Sequence, residues 1–155
     1  MIKADVLVNV MAWKDHISNP NNYLNKKLKK AEKKISIFKK NKFNFTILLS
    51  GDNEIKTLNK KFRKKNKITD ILSFPFYEKK KLNELIRKKQ KNIYLGDIII
   101  NLKEINKLSR KKNFSNIFDK IWIHGLTHLL GYRHKSNIDF SIMQKLETKI
   151  IKAIQ

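Results

Sequence analysis

IYLGDIIIN, residues 93–101, is the stretch that decides the fold of this chain. Its isoleucines are β-branched and its tyrosine is aromatic, and both kinds of side chain favour the extended backbone of a strand. Gly96 interrupts the run, and a glycine within a strand indicates a bulge or the close approach of a second backbone. We therefore predict a strong strand over these residues.

Three further strands are predicted earlier in the chain. They cover residues 2–10 (IKADVLVNV), 43–49 (FNFTILL) and 70–76 (DILSFPF). Each is short and rich in β-branched or aromatic residues, as strands are. Pro75 has no backbone N–H to donate to a neighbour, so we expect its strand to lie at an edge of the sheet or to end there.

Helices are predicted between and after the strands, because apolar residues recur there every three or four positions. They cover residues 21–39, 53–62, 102–112, about 113–130 and 137–154, while the lysine-rich residues 78–91 form either a helix or a mobile loop. Strands and helices do not alternate strictly along the chain. The pattern indicates one α+β domain over residues 1–155, an α/β layered arrangement in which a mixed sheet of about four strands packs with five to six helices.

The charge of the chain favours a polyanionic partner. Lysine and arginine number 36 against 13 aspartate and glutamate residues, so the formal net charge is +23. Such an excess favours nucleic acid through salt-sensitive attraction to phosphates, with little reading of sequence and no implied specificity for DNA. A drift of composition toward AT-rich codons is the alternative source of part of this charge, since lysine, asparagine and isoleucine are all abundant.

The remaining composition bears on where the protein works. The chain has no cysteine, which excludes disulfides and thiolate metal sites and fits the cytoplasm. It contains no run of about 18 apolar residues, as a transmembrane helix would require, and its N-terminus lacks the layout of a signal peptide. We therefore expect a cytoplasmic protein without a membrane partner.

Three of the four histidines lie in one short segment, His124-Gly-Leu-Thr-His128-Leu-Leu-Gly-Tyr-Arg-His134. On a helix, His124 and His128 are one turn apart and face the same way. Gly131 can end that helix in a left-handed cap and reverse the chain, so that His134 returns as a third ligand. Three nitrogen ligands leave a tetrahedral zinc ion one open position for water, as in a catalytic site. The alternative is that these are ordinary surface or core histidines.

Arg63 is a candidate for contact with substrate. It follows an apolar helix and opens the basic loop 63–69 (RKKNKIT), in a chain with only four arginines. A guanidinium at this place can clamp a phosphate with two parallel hydrogen bonds. The alternative is a solvated surface cation, which is the ordinary state of a charged side chain.

Three blocks of sequence resemble one family. The segment His124–His134 is similar to the H-G-x-L-H-L-x-G-Y-D-H signature of the YbeY family of endoribonucleases and rRNA maturation factors. Leu58-Asn59-x-x-Phe62-Arg63, followed by Thr69-Asp70-Ile71-Leu72-Ser73-Phe74-Pro75, resembles its L-N-x-x-F-R…T-D-V-L-S-F-P block, and Leu95-Gly96-Asp97-Ile98 resembles its L-G-D-I strand. The blocks span residues 58 to 134 in the order of the family.

This resemblance implies a function. It implies one α/β domain, one zinc ion held by His124, His128 and His134, and hydrolysis of single-stranded RNA through the metal-bound water. The implied role is maturation of the 3′ end of 16S rRNA and late quality control of ribosomes, with single-stranded rRNA and the small ribosomal subunit as partners.

The chain departs from the family pattern at three positions. Arg133 stands where the family has aspartate, Thr127 where it has leucine, and Lys64 where it has glycine. If the aspartate activates water or orients a histidine, Arg133 impairs catalysis, whereas the loss is mild if the aspartate only caps the turn. The alternative function is a non-catalytic ribosome-assembly or RNA-binding module that retains a structural zinc.

The roles of Gly125, Asp70 and Asp97 each leave alternatives open. Gly125 stands where metalloproteases of the H-E-x-x-H type have their catalytic glutamate, so a peptidase ranks below a nuclease. This glycine either allows close packing of helix on strand or leaves room for substrate. Asp70 and Asp97 either bond the backbone at the ends of strands or support a metal-binding histidine.

Overall fold

A computed structural model describes residues 1–110 and 113–155 of the chain. Its sheet consists of β1 (Ile2–Val8), β2 (Phe43–Ser50), β3 (Ile71–Pro75) and β4 (Ile93–Asn101). The strand order is β1-β2-β4-β3, with β1, β2 and β4 parallel and β3 antiparallel to β4. The predicted α+β class and mixed sheet are confirmed, and every predicted strand ends within two residues of the observed one.

Helices connect and cover these strands. The described residues contain α1 (Trp13–His16), α2 (Pro20–Lys34), α3 (Ser36–Lys40), α4 (Asp52–Arg63), α5 (Lys79–Arg87), α6 (Leu102–Leu108), α7 (Phe114–Leu129) and α8 (Asn137–Ile154). Residues 78–91, for which helix and loop were both open, contain α5. The helix predicted over 102–112 ends earlier, and its residues 111–112 lie outside the described part of the chain. Within residues 1–110 and 113–155, no helix is long and apolar enough to cross a membrane.

The single helix predicted over residues 21–39 is wrong in one respect, because Ile35 divides it. Ile35 has an extended backbone, with φ −103° and ψ 112°, and separates α2 from α3. Its side chain is buried, as are those of Ala31 and Phe38 on either side. Apolar side chains therefore reach the core on both sides of the break, and their spacing alone cannot reveal it.

Helices cover the two faces of the sheet unequally. Side chains of β4 alternate between the faces, so Ile98 and Ile100 join the large core that α2, α7 and α8 help to form, whereas Ile99 points the other way. On that second face Ile99 meets Ile55 of α4 in a much smaller cluster. The larger layer carries α7, and it brings the C-terminal end of α7 beside the edge strand β3.

Two residues explain how that edge is built. Gly96 of β4 has φ +128°, and a Cβ atom there would lie 2.1 Å from the carbonyl oxygen of Phe74. The register with β2 shifts opposite this point, between Asn44 and Thr46. Both predicted roles of Gly96, a bulge and a close backbone approach, are thus found together. Pro75 lies on β3, which forms the edge of the sheet as predicted.

Candidate metal centre

The three histidines predicted as ligands converge at the C-terminal end of α7. His124 and His128 lie on successive turns of α7, and their Nε2 atoms are 3.1 Å apart. The ring of His134 has its centroid 5.8 Å from that of His124 and 5.1 Å from that of His128. One ring nitrogen from each residue lies within 4.8 Å of the other two. The group could hold a metal ion, and its role as a ligand set stays a prediction.

Gly131 produces the turn that brings His134 back to the helix. Its φ is +85°, in the left-handed region that favours glycine, and its N–H donates to the carbonyl oxygen of His128. The N–H of Tyr132 donates to the carbonyl oxygen of Thr127. A Cβ atom on Gly131 would lie 2.9 Å from Cβ of Lys79. The predicted left-handed cap is confirmed, and close contact with α5 gives a second reason for glycine.

Hydrogen bonds orient two of the imidazole rings. Nδ1 of His128 lies 3.0 Å from the carbonyl oxygen of Tyr132, and Nδ1 of His124 lies 2.8 Å from Oε1 of Glu147. Both oxygens only accept hydrogen bonds, so each Nδ1 carries the proton and each Nε2 keeps a free lone pair. The two lone pairs are therefore on the nitrogens that face each other, which is the arrangement a bound cation needs.

Burial keeps His128 neutral. Burial, helped by the neighbouring His124, His134 and Arg133 and opposed by the bond to Tyr132, lowers the pKa of His128 from 6.5 to about 4. A neutral imidazole is the form that binds metal. At neutral pH no proton therefore has to leave this ring before a metal ion can bind.

Glu147 is a functional candidate that the sequence reasoning missed. The aspartates considered for support of a histidine bond elsewhere: Asp70 accepts from the N–H of Ile71, and Asp97 accepts from the hydroxyl of Tyr94. Glu147 on α8 takes this role instead. The sequence did contain a signal for this role. Glu147 lies at helical spacing between the buried Met143 and Ile150, on the apolar face of α8, where a carboxylate is not expected.

Arg63 is brought to the histidines by tertiary structure. It is the last residue of α4, and its Nη2 donates to the carbonyl oxygen of Ser73 on β3 at 3.2 Å. Its guanidinium carbon lies 5.9 Å from the ring centroid of Phe74. A pocket of about 310 Å³ is lined by Arg63, Ser73, Pro75, His128, Arg133 and His134. The candidate phosphate ligand thus shares one pocket with two of the three candidate metal ligands, His128 and His134.

Comparison with known proteins identifies the family. The family model described as endoribonuclease YbeY matches residues 9–155. A Pelagibacter ubique protein named endoribonuclease YbeY is 43% identical over 157 residues, which cover 100% of this chain and 97% of the relative. The chain belongs to the YbeY endoribonuclease family. The family predicted from three blocks is confirmed, and with it the enzyme class, since an endoribonuclease is a hydrolase of phosphodiester bonds in RNA.

Another YbeY relative and one solved structure match over nearly the same length. The Buchnera aphidicola subsp. Acyrthosiphon pisum protein named endoribonuclease YbeY is 37% identical, over 97% of this chain and 92% of the relative. A solution structure of a Thermotoga maritima protein matches 99% of this chain and 89% of its own, with a TM-score of 0.61 and 22% identity. That likeness supports the fold.

Lys64 occupies the place of the glycine in the YbeY loop and keeps the backbone conformation of a glycine. Its φ is 56° and its ψ 29°, in the left-handed region. Its N–H donates to the carbonyl oxygen of Lys60, and this bond caps α4 directly after Arg63, its last residue. A residue with a Cβ atom adopts this conformation at a cost of about 1 kcal/mol. The loop therefore tolerates the loss of glycine with some strain.

Gly125 of the YbeY signature permits close packing of α7 on the sheet. A Cβ atom there would lie 2.8 Å from Cδ1 of Ile71 and 3.0 Å from Cδ1 and Cγ2 of Ile98. The residue is buried among these side chains and does not line the pocket to which His128 and His134 contribute. Of the two alternatives for this glycine, the structure favours close packing over room for substrate.

Proposed function

We propose that this chain is a zinc-dependent endoribonuclease specific for single-stranded RNA, built as one domain over residues 1–155. The observation that carries the proposal is the convergence of His124, His128 and His134 in one cluster, two members of which, His128 and His134, line a pocket with Arg63. Three imidazole nitrogens suit zinc and leave a coordination position open. A guanidinium beside them suits the phosphate of the bond to be cleaved.

Each part of the pocket has a chemical task in this proposal. When bound, zinc supplies a Lewis acid and lowers the pKa of a coordinated water molecule toward neutrality. Arg63 binds a phosphate oxygen and stabilises the negative charge that develops there during hydrolysis. Its bond to the carbonyl oxygen of Ser73 holds the guanidinium at the pocket. Glu147 and the carbonyl of Tyr132 keep the Nε2 atoms of His124 and His128 directed at the ion.

Two exposed aromatic side chains, each next in sequence to a residue that lines the pocket, support a single-stranded substrate. Phe62 precedes Arg63 and is 59% exposed, and Phe76 follows Pro75 and is 62% exposed. Bases that are not paired can stack on such rings, whereas bases within a duplex cannot reach them. Paired RNA would offer this surface only its backbone.

For the biological role, we propose maturation of the 3′ end of 16S rRNA and late quality control of ribosomes in the cytoplasm. The partners are single-stranded rRNA and the small ribosomal subunit. The net charge of +23 supports binding to this polyanion. Binding to purified small subunits should weaken steeply as salt rises, which cosedimentation at increasing salt measures.

The decisive experiment replaces a ligand and a control histidine. His128→Ala should lose bound zinc and cleavage of a single-stranded 16S 3′ precursor together. His16→Ala is the matched control, since His16 is exposed and stacks on Phe114 away from the cluster. Chelation should abolish wild-type cleavage, and added zinc should restore it. Cleavage that survives both chelation and His128→Ala contradicts the proposal.

A second candidate is a non-catalytic ribosome-assembly module with a structural zinc. It is favoured by Arg133, which brings a cation into the pocket where the YbeY signature has an acid. In that case His128→Ala lowers the melting temperature while RNA affinity and assembly persist. Arg133→Asp, which restores the family residue, would then produce no cleavage.

A further inference from the structure

Arg133 contributes a second guanidinium to the pocket beside the histidines. Its Nη1 donates to the carbonyl oxygens of His128 and Tyr132, at 3.3 and 3.2 Å. These bonds hold the guanidinium at the C-terminal end of α7, where the helix dipole attracts a cation. Its Nε and Nη2 make no hydrogen bond to the described residues. Those N–H groups are available to an anion.

Arg63 is held in the same way from the other side. Its Nη2 donates to the carbonyl oxygen of Ser73, and its Nε and Nη1 make no hydrogen bond within the described part of the chain. Two guanidiniums, each attached to backbone oxygen through one nitrogen, thus line a pocket of about 310 Å³. Because both are already held, binding an anion costs them less conformational entropy than it costs a free surface arginine.

Ser73 provides an independent observation that points to a ligand. Its side chain is 6% exposed, and its Oγ has no hydrogen-bond partner among residues 1–110 and 113–155. A buried hydroxyl left without a partner is destabilising, so folded proteins seldom keep one. Ser73 lines the same pocket. Its unpaired hydroxyl is therefore the candidate donor to an anion that the two guanidiniums bind.

We propose that Arg133 and the hydroxyl of Ser73, together with Arg63, form a phosphodiester-binding site beside the histidine cluster. No carboxylate of the described residues lines this pocket, so nothing in it repels a phosphate. Planar guanidiniums match two phosphate oxygens better than lysine does. The ligand class rests on the proposed nuclease function. The acid-to-arginine change relative to the YbeY signature then strengthens phosphate binding instead of merely capping α7.

Dimethyl phosphate is the probe, since it is a phosphodiester with no base or sugar to bind elsewhere. Its affinity for the full chain, with and without zinc, is measured by NMR titration at low salt. Arg133→Ala should weaken it about tenfold, which corresponds to 1.4 kcal/mol. Arg133→Lys should weaken the affinity less than Arg133→Ala, since lysine keeps the positive charge. Lys135→Ala, the control, removes one exposed cation two residues away and should change the affinity less than twofold.

Equal affinities for Arg133→Ala and Lys135→Ala overturn the proposal and leave Arg133 as a helix cap. Ser73→Ala tests the buried hydroxyl separately. It should weaken binding about threefold without lowering the melting temperature, because it removes an unpaired buried group. If Ser73→Ala leaves the affinity for dimethyl phosphate unchanged and raises the melting temperature, Ser73 is not part of the anion site.

Cleavage of single-stranded RNA, assayed in parallel, separates this proposal from the proposed function. If the wild-type chain cleaves no RNA but Arg133→Ala still loses affinity for dimethyl phosphate, the anion site stands and the nuclease fails. If the wild type cleaves RNA and Arg133→Ala matches it in both dimethyl phosphate affinity and KM, the anion site fails and the nuclease stands.

Discussion

Glu147 of α8 accepts a hydrogen bond from Nδ1 of His124 of α7, at 2.8 Å. The hydroxyl of Thr127, one turn from His124, lies 3.3 Å from the same carboxylate oxygen and donates to the carbonyl oxygen of His124 at 2.7 Å. The carboxylate is therefore bonded to His124 and lies in contact with Thr127. A carboxylate in this position fixes the ring of a metal-binding histidine and raises the basicity of its other nitrogen.

Glu147→Gln should weaken zinc binding about 10- to 100-fold, which is the usual effect of losing such a partner. The amide can still accept a hydrogen bond, so the fold should persist while the negative charge is lost. Competition with a chromophoric chelator measures the affinity. The matched control is Glu104→Gln, which removes a carboxylate from an ion pair with Lys107 on α6. Equal zinc affinities in the two variants would show that Glu147 only links the helices.

Metal-free protein should lose stability as the pH falls from about 6.5 toward 4. The pKa of His128 is lowered from 6.5 to about 4 in the folded chain. The unfolded chain therefore binds a proton in this range that the folded chain rejects, and protonation favours unfolding. Above pH 6.5 the effect is absent, since His128 is neutral in both states. Melting temperatures between pH 7.5 and 4.5 measure it, and His128→Gln should flatten the profile. A profile equally steep in His128→Gln would assign the loss to other groups.

Lys64→Gly should stabilise the protein by about 1 kcal/mol. Lys64 has φ 56°, and glycine adopts this left-handed conformation without the strain of a Cβ atom. Urea denaturation measures the change in the free energy of unfolding. Lys65→Gly is the control, since the backbone of Lys65 lacks a positive φ and glycine there should bring no gain. Equal effects of the two substitutions would contradict the assignment of strain to Lys64.

Gly125→Ala should destabilise the protein, because overpacking costs about 1–3 kcal/mol and exceeds the roughly 1 kcal/mol that alanine gains in a helix. The added Cβ atom meets Cδ1 of Ile71 at 2.8 Å. Ile71→Val removes that carbon, so the double variant should be more stable than the sum of the two single changes predicts. Denaturant unfolding of all four proteins gives the coupling. Strict additivity would show that Ile71 does not resist the alanine.

The sequence by itself determined the local features of this protein. The strand at residues 93–101 follows from its own β-branched side chains, and the edge position of β3 was indicated by Pro75. His124 and His128 converge because a helical turn spans about four residues, and Gly131 turns the chain because glycine accepts a positive φ. Each of these relations joins residues close in sequence, where backbone geometry alone decides the outcome.

Only the tertiary structure decided which distant side chains meet at the pocket. Arg63 reaches the histidines because α4 ends against β3, and β3 lies beside α7. Glu147 reaches His124 because α8 packs on α7. Strand register and helix packing depend on the whole core, which the spacing of apolar residues along one segment does not encode. The sequence therefore predicted the cluster of three histidines, whereas the tertiary structure determined which arginines, serine and glutamate surround it.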